Sequence, residues 1–255
     1  MRDPQDSDEQ APKSLLVPPR DGVDIGDYTL RDFAAKWLMQ QCDLAEIGFY
    51  RAANNALLAG SDSRRRIVFL GDSITEFWSS LADLDTAETV VLNRGIRGQN
   101  SSQMLLRFED DAIALQPALI VLLCGTNDLR SYVGDAAAVG VSAQQRIMRN
   151  VTAMADIAMA RNVPMSIGAI PPVNPAHPVH RDPAAILAIN LRLNDFATQR
   201  RLHLIDFHRA LVNEAGCLDT AFSADGVHPN AAGYARMRME LDRSAGIAAL
   251  IRNRH

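Results

Sequence analysis

Three side chains of this sequence are of the types that together activate a hydroxyl for attack on a carbonyl. Ser73 follows Gly71 and Asp72, directly after an apolar run and at the predicted start of a helix. Asp225 and His228 lie three residues apart, late in the chain. A serine is a weak nucleophile unless a neighbouring base takes its proton, and a carboxylate can orient that base. These residue types are therefore candidates for a nucleophile and an acid–base pair.

Two further segments offer groups that could bind an oxyanion. Residues 93–99 contain Gly98, whose backbone N–H could approach a bound oxygen without a Cβ in the way. Residues 125–128 contain Asn127, whose carboxamide is a hydrogen-bond donor. Each segment alone is a common turn sequence. The four segments in this order predict a site for acyl transfer.

These residues can meet only if the fold brings the ends of several strands together. Short apolar runs alternate with longer amphipathic stretches, which is typical of parallel strands joined by crossover helices. We therefore predict an α/β fold, a three-layer α/β/α sandwich with a five-stranded, parallel, flavodoxin-like sheet and a site beyond the carboxyl ends of its strands. The predicted strands are residues 67–70, 89–92, 119–124, 165–169 and 202–206. The predicted helices begin at Thr29 and then cover residues 45–58, 75–81, 101–115, 142–161, 183–200 and 231 to about 249.

Other polar residues near the predicted site have competing interpretations. Asp206 also ends a predicted strand and is the rival for the orienting acid, although it lacks the short spacing to His228. Gly95 lies nearer its strand than Gly98 and is interpreted as structural. Asp72 and Asp128 are expected to brace backbone amides of neighbouring loops.

Two loops are expected to rim the site and set its specificity, residues 129–136 and the proline-rich residues 171–183. His177 and His180 lie in the second loop, but no third metal ligand with fixed geometry accompanies them, so we expect exposed loop histidines. Phe77 could line an acyl pocket or pack against the sheet. We predict no metal and no organic cofactor.

Composition excludes several classes of protein. The 255 residues are 47% hydrophobic and 22% charged, which is typical of a globular protein with a sizeable core. Twenty-six basic and 30 acidic residues give a net charge of -4, which disfavours nucleic acid as a partner. The longest apolar run, residues 118–124, is far shorter than the roughly 18 residues of a membrane span. Because arginine supplies nearly all the positive charge, single arginines are weak functional evidence.

The four polar segments resemble those of the SGNH or GDSL-type serine esterases and lipases. They read GDSIT, NRGIRGQ, GTND and DGVHP, with isoleucine where the family name has leucine. Residues 93–128 look especially like bacterial acylhydrolases of the acetylesterase and lysophospholipase type, and the resemblance covers the chain from about residue 67 to its C terminus. It implies roles for five residues: Ser73 as nucleophile, His228 as base, Asp225 as its partner, and the Ser73 N–H, the Gly98 N–H and the Asn127 side chain as the oxyanion hole.

With these roles we expect a cofactor-free serine esterase that acts on short-chain, acetyl-type carboxylic esters through an acyl-enzyme. Its partner would be a small-molecule ester, with an acetylated carbohydrate as one candidate. The sequence lacks long apolar or polyaromatic lid segments, which disfavours a triglyceride lipase. Two alternatives stay open: a lysophospholipase or thioesterase, and a non-catalytic carbohydrate- or ligand-binding module on the same fold.

The ends of the chain bear on domain organisation and location. Residues 1–26 contain four prolines and mostly polar or acidic side chains, so we expect a flexible N-terminal arm. Residues 27–255 are predicted to form one SGNH hydrolase domain, with a helical segment at 27–62 and the catalytic core at 63–255. The N terminus lacks the apolar stretch of a secretory signal, which predicts a cytoplasmic location. A chain that had lost such a signal would instead be periplasmic or secreted.

Overall fold

The computed structural model describes residues 38, 41–130, 136–175, 177, 179–244 and 247–248. The predicted N-terminal arm and the predicted helix start at Thr29 lie outside the described residues. The proposed division of the chain into an arm, a helical segment and a catalytic core therefore stays a prediction.

The centre of the molecule is a five-stranded parallel sheet in the order β2-β1-β3-β4-β5. The strands are β1 (Arg65–Gly71), β2 (Thr89–Gly95), β3 (Leu119–Leu123), β4 (Met165–Gly168) and β5 (His203–Ile205). Gly71 pairs with Gly95 on one side and with Leu123 on the other, so the first three strands end level with one another. The winding direction reverses at β1, and such a reversal opens a crevice beyond the carboxyl ends of the strands.

The connections between strands are helical. The α-helices are α1 (Arg51–Ala59), α2 (Ser73–Glu76), α3 (Ser101–Leu106), α4 (Phe108–Asp111), α5 (Ala136–Ala160), α6 (Pro183–Arg200), α7 (Phe207–Leu211) and α8 (Ala231–Arg243). Two 3-10 helices cover Ser79–Leu84 and Ile113–Leu115. Within the described part of the chain, no helix combines the length and the apolar character that crossing a membrane requires.

Side chains of β1 alternate between two separate apolar cores, one on each face of the sheet. Val68 and Leu70 belong to one core, whereas Ile67 and Phe69 belong to the other. Because both faces are covered by helices, successive strand positions are apolar, which is why the strands stand out as continuous runs. The predicted α/β fold with a five-stranded parallel sheet is confirmed.

Two predicted helices are interrupted in the structure, and a side-chain hydrogen bond to a backbone carbonyl lies at each interruption. The predicted helix at 101–115 is broken into α3, α4 and a 3-10 turn, and Arg107 stands at the break with its buried guanidinium donating to the Gly71 carbonyl at 3.0 Å. The predicted helix at 75–81 ends at Glu76, where Asn93 Nδ2 donates to the Thr75 carbonyl at 2.7 Å. The boundaries of α1, α5 and α8 also differ from the predicted ones. The predicted helix at 183–200 matches α6, which Asp182 caps and Pro183 begins.

The end of β2 passes so close to α2 that residue 95 has no room for a side chain. A Cβ on Gly95 would lie 2.1 Å from the Glu76 backbone nitrogen and 2.6 Å from its Cα. Backbone atoms at these positions cannot move without displacing the turn that carries Ser73. Close approach of two backbones therefore explains a glycine at this position.

We predict that Gly95→Ala lowers the free energy of unfolding by about 1–3 kcal/mol or more, as overpacking usually does. Gly48→Ala is the control, because a Cβ there would meet only an Asp43 carboxylate oxygen at 3.5 Å, an ordinary contact. Urea unfolding followed by circular dichroism measures both variants. Equal free energies of unfolding for the two variants would contradict the prediction.

Candidate active site

Ser73 is the first residue of α2 and lies directly beyond the carboxyl end of β1. The preceding Asp72 caps this helix, since its Oδ1 accepts the Ile74 N–H at 2.9 Å. A Cβ on Gly71 would lie 2.0 Å from Thr75 Oγ1, so the strand can enter the helix this sharply only with glycine at that position. The turn thus places the Ser73 hydroxyl at the edge of the sheet.

The structure brings Ser73 together with both members of the predicted acid–base pair. Ser73 Oγ lies 2.8 Å from His228 Nε2, and His228 Nδ1 lies 2.5 Å from Asp225 Oδ2. The second oxygen, Asp225 Oδ1, accepts the backbone N–H groups of Val227 and His228 at 2.9 and 2.8 Å. Because an ionised carboxylate can only accept, Nδ1 carries a proton, and in the neutral ring Nε2 accepts from the Ser73 hydroxyl.

The surroundings of Asp225 keep its carboxylate ionised. Burial by itself raises the pKa of Asp225, but the hydrogen bonds and charge of His228, with the Val227 N–H, outweigh burial and lower that pKa to about 2. A carboxylate of this kind can hold a histidine in one tautomer and stabilise the imidazolium that forms when the histidine takes a proton.

The rival acid Asp206 has a different set of partners. Its Oδ1 accepts the Arg209 N–H at 2.9 Å at the start of α7, and its Oδ2 lies 3.9 Å from Arg209 Nε. Asp206 therefore caps a helix, while Asp225 is the carboxylate in contact with His228.

The two predicted oxyanion-binding segments lie at the same edge of the sheet. Asn127 Nδ2 donates to the Gln99 carbonyl at 3.0 Å and lies 3.4 Å from Asp72 Oδ2, within the turn that presents the serine. Gly98 has a φ of +82°, a conformation that favours glycine, and a Cβ built there would meet nothing within 4 Å. Open space therefore lies beside the Gly98 backbone.

Glu76, the last residue of α2, holds the loop that carries Gly98, and the next residue, Phe77, borders the ring of His228. Glu76 accepts the Arg97 backbone N–H at 2.5 Å and also the Arg97 guanidinium, with Nε at 2.8 Å. The Phe77 ring centroid lies 5.4 Å from the guanidinium carbon of Arg97 and 5.4 Å from the His228 ring centroid. Phe77 therefore borders the His228 ring and also packs against the apolar core on that face of the sheet, so it makes the contacts of both interpretations.

Asp128 braces the loop that carries Asn127. Its carboxylate accepts the Ser101 N–H at 2.8 Å and the Ser101 hydroxyl at 2.7 Å, and it also pairs with Arg146 at 2.9 Å. These contacts join the end of β3 to the start of α3.

The expectation of two exposed loop histidines is wrong for His177, which is buried, while His180 is exposed. The loop folds inward because Asn174 N–H donates to the Gly226 carbonyl at 2.8 Å, and His177 Nδ1 accepts the Val179 N–H at 3.0 Å. Burial lowers the pKa of His177 and favours the neutral ring. Among the residues that the structure describes, no cluster of three or more His, Cys, Asp or Glu side chains could hold a metal ion.

Sequence reasoning missed one residue that contacts the site. Arg181 is buried, and its guanidinium donates to the Thr126 carbonyl at 2.9 Å and lies 3.4 Å from Asn127 Oδ1. In a chain whose basic residues are nearly all arginine, no sequence signal separated Arg181 from the others.

Residues 69–236 match the model of the GDSL-like Lipase/Acylhydrolase family, and this match spans more than half of the chain. The chain belongs to this family. It is accordingly a hydrolase of the ester type, as the resemblance of the four segments implied. A search of curated proteins gave no match.

Solved structures support the membership of this GDSL-like acylhydrolase. A protein described as an acylhydrolase from Bacteroides fragilis is 29% identical, with a TM-score of 0.69 over 82% of this chain and 99% of that one. A GDSL-like lipase from Bacteroides thetaiotaomicron is 28% identical, with a TM-score of 0.67 over 80% of this chain and 98% of that one. A protein from Streptococcus pneumoniae described as a platelet activating factor is 25% identical, with a TM-score of 0.65 over 82% and 97%.

The pKa of Asp72 is higher than that of an ordinary aspartic acid. Burial raises its pKa to about 6, against the opposing effects of the Ile74 N–H and the charges of His228, Arg130 and Arg181. The folded acylhydrolase therefore holds this proton more tightly than the unfolded chain, where the pKa is near 3.8. The corresponding stability is present below about pH 4 and is lost as the pH rises to about 6.

We predict that Asp72→Asn removes this pH dependence. Relative to the wild type, the free energy of unfolding of the variant should rise by about 2 kcal/mol between pH 4 and pH 7. Asp182→Asn controls for the exchange of one cap residue for another, since Asp182 Oδ1 caps α6 by accepting the Ala184 N–H at 2.9 Å. Urea unfolding at several pH values measures the difference, and a constant difference between Asp72→Asn and the wild type would contradict the prediction.

Proposed function

We propose that this acylhydrolase cleaves short-chain, acetyl-type carboxylic esters with Ser73 as nucleophile, His228 as base and Asp225 as the orienting acid. One observation carries the proposal: Ser73 Oγ, the two nitrogens of His228 and Asp225 Oδ2 form a continuous chain with contacts of 2.8 and 2.5 Å. This is the arrangement that nucleophilic catalysis by a hydroxyl requires.

The reaction would proceed in two steps. His228 Nε2 takes the hydroxyl proton as Ser73 Oγ attacks the ester carbonyl carbon, and the imidazolium then gives that proton to the departing alkoxide, which leaves an acyl-enzyme. In the second step His228 takes a proton from water, the resulting hydroxide attacks the acyl carbon, and the proton returns to Ser73 as the acid leaves. Asp225 stabilises each imidazolium, because its carboxylate stays ionised while the histidine charges.

Three donors would bind the oxyanion that forms in each step: the Ser73 N–H, the Gly98 N–H and Asn127 Nδ2. Asn127 Nδ2 carries two hydrogens, and one bonds the Gln99 carbonyl at 3.0 Å. The other makes only the longer contact of 3.4 Å with Asp72 Oδ2 and is the hydrogen that we propose for the developing oxyanion. Removing one such donor typically lowers kcat by about 10²–10³-fold.

The preference for a small acyl group is supported by the sequence, which contains no long apolar or polyaromatic segment suited to a lid. An acetylated carbohydrate is the more specific substrate that we propose, as a small-molecule ester.

Substitutions in the proposed triad test the mechanism. Ser73→Ala and His228→Ala should lower kcat on p-nitrophenyl acetate by about 10⁴-fold or more, and Asp225→Asn by about 10²–10⁴-fold. Asp206→Asn is the matched control, because it alters the rival acid, which contacts Arg209. Its kcat should stay within about twofold of the wild type. An Asp206→Asn loss as large as that of Asp225→Asn would overturn the assignment of the acid.

A chain-length series tests the substrate class. Turnover that depends on Ser73 and falls from p-nitrophenyl acetate to the palmitate ester would support a short-chain esterase and direct the search to acetylated sugars. Turnover that rises with acyl length would identify a lysophospholipase or thioesterase instead. Folded protein with no turnover of any ester would favour the ligand-binding alternative.

A further inference from the structure

Arg181 is a charged residue buried beside the proposed oxyanion hole, with only 3% of its surface exposed. Its guanidinium donates through Nε to the Thr126 carbonyl at 2.9 Å and through Nη1 to the Val179 carbonyl at 3.2 Å. Nη2 lies 3.4 Å from Asn127 Oδ1. The mechanism proposed above gives this residue no role, although it contacts one of the three oxyanion donors.

The groups around the Asn127 amide decide which way that amide points. A guanidinium can only donate, so the amide atom that faces Arg181 must be the oxygen. The opposite side of the amide meets the Gln99 carbonyl and Asp72 Oδ2, which accept, so that side must be the NH₂ group. A reversed amide would set donor against donor and oxygen against oxygen. Arg181 therefore helps to hold the Nδ2 donor toward the serine turn.

The charge of Arg181 acts in the same direction as its hydrogen bond. A positive charge beside Oδ1 draws electron density toward that oxygen, which makes the Nδ2 hydrogens stronger donors. Polarisation along such a chain is more effective in a buried site than in water. As negative charge develops on the substrate oxygen, the amide between it and the guanidinium is stabilised at both ends.

Hydrogen bonds on both sides of Arg181 place it at the entrance of α6. It follows the turn in which His177 Nδ1 accepts the Val179 N–H at 3.0 Å, and it precedes Asp182, the cap of α6. His177 is favoured in its neutral form, since burial lowers its pKa and the charge of Arg181 lowers it further. The guanidinium thus approaches Asn127 from the entrance of α6, close to a ring that favours its neutral form.

We propose that Arg181 is a positioning residue of the oxyanion hole, which fixes the amide orientation of Asn127 and polarises this amide toward the developing oxyanion. The inference rests on the proposed function, because it requires Asn127 to bind the oxyanion. Arg181 does not touch the reacting atoms, so its effect on the rate must pass through Asn127.

A double-mutant cycle on p-nitrophenyl acetate tests this dependence. Arg181→Met should lower kcat by about 10–100-fold with KM within about threefold, since the lost interaction strengthens in the transition state. In the Asn127→Ala background the same substitution should change kcat by less than about threefold, because coupled residues are not additive. A merely structural role for Arg181 would lower kcat by the same factor in both backgrounds, and that result would overturn the proposal.

Arg94→Met is the control, because Arg94 is also buried but donates to Asn54 Oδ1 at 2.9 Å and to the Asn93 carbonyl at 3.0 Å rather than to the loop of Asn127. Any effect of this variant on kcat should be equal in the two backgrounds.

If Arg181→Met fails to fold by circular dichroism, Arg181→Lys replaces it, because lysine keeps the charge but lacks the planar fork. Arg181→Lys should lower kcat less than Arg181→Met does, and this loss should again disappear in the Asn127→Ala background. An unchanged kcat in Arg181→Lys would overturn the proposal.

The design separates the two proposals. An Asn127→Ala variant with unchanged kcat would show that the proposed oxyanion hole is wrong, and the inference about Arg181 would fall with it. A large loss in Asn127→Ala, together with an additive loss in Arg181→Met, would leave the hole in place and overturn only the role of Arg181.

Discussion

The guanidinium of Arg107 has no exposed surface, and each of its three nitrogens donates to a different segment of the chain. Nε donates to Gln99 Oε1 at 2.6 Å, Nη1 to Asp111 Oδ2 at 3.1 Å and Nη2 to the Gly71 carbonyl at 3.0 Å. A buried charge is tolerated only when its donors are satisfied, and breaking such a pair costs about 3–5 kcal/mol. The turn that carries Ser73 and the loop that carries Gly98 are therefore joined through the side chain of Arg107.

The same network reaches into the segment before the sheet. Asn54 Nδ2 donates to Asp111 Oδ1 at 2.7 Å, and Arg94 Nε donates to Asn54 Oδ1 at 2.9 Å. The Tyr50 hydroxyl donates to the Gly95 carbonyl at 2.6 Å, and burial is the largest cause that raises the pKa of Tyr50 to about 12. Residues around α1 thus support the loop that carries Gly98, although they lie outside the four motif segments and outside the matched residues 69–236.

Sequence reasoning succeeded where one local signal determined the structure. Strands buried on both faces produce continuous apolar runs, and Asp182 with Pro183 marks the start of α6. It failed where a distant partner intervened: the buried contacts of Arg107 accompany the break in the helix predicted at 101–115. Three of the five candidate site residues follow the ends of strands, and Asp225 and His228 lie in the last loop before α8. Their proximity could therefore be predicted from the sequence. Their catalytic roles stay proposals. Arg181 could not have been selected, because its importance depends on a contact across 54 residues of chain.

The acid and the base lie in one short turn, residues 225–228, that follows the last strand of the sheet. Just beyond it, the Tyr234 hydroxyl of α8 donates to the Ile74 carbonyl at 2.8 Å and so fastens this part of the chain to the serine helix. All five strands precede the proposed acid and base in the sequence. On the proposed assignment, a chain that ends after the fifth strand holds the whole sheet and Ser73 but lacks both the acid and the base.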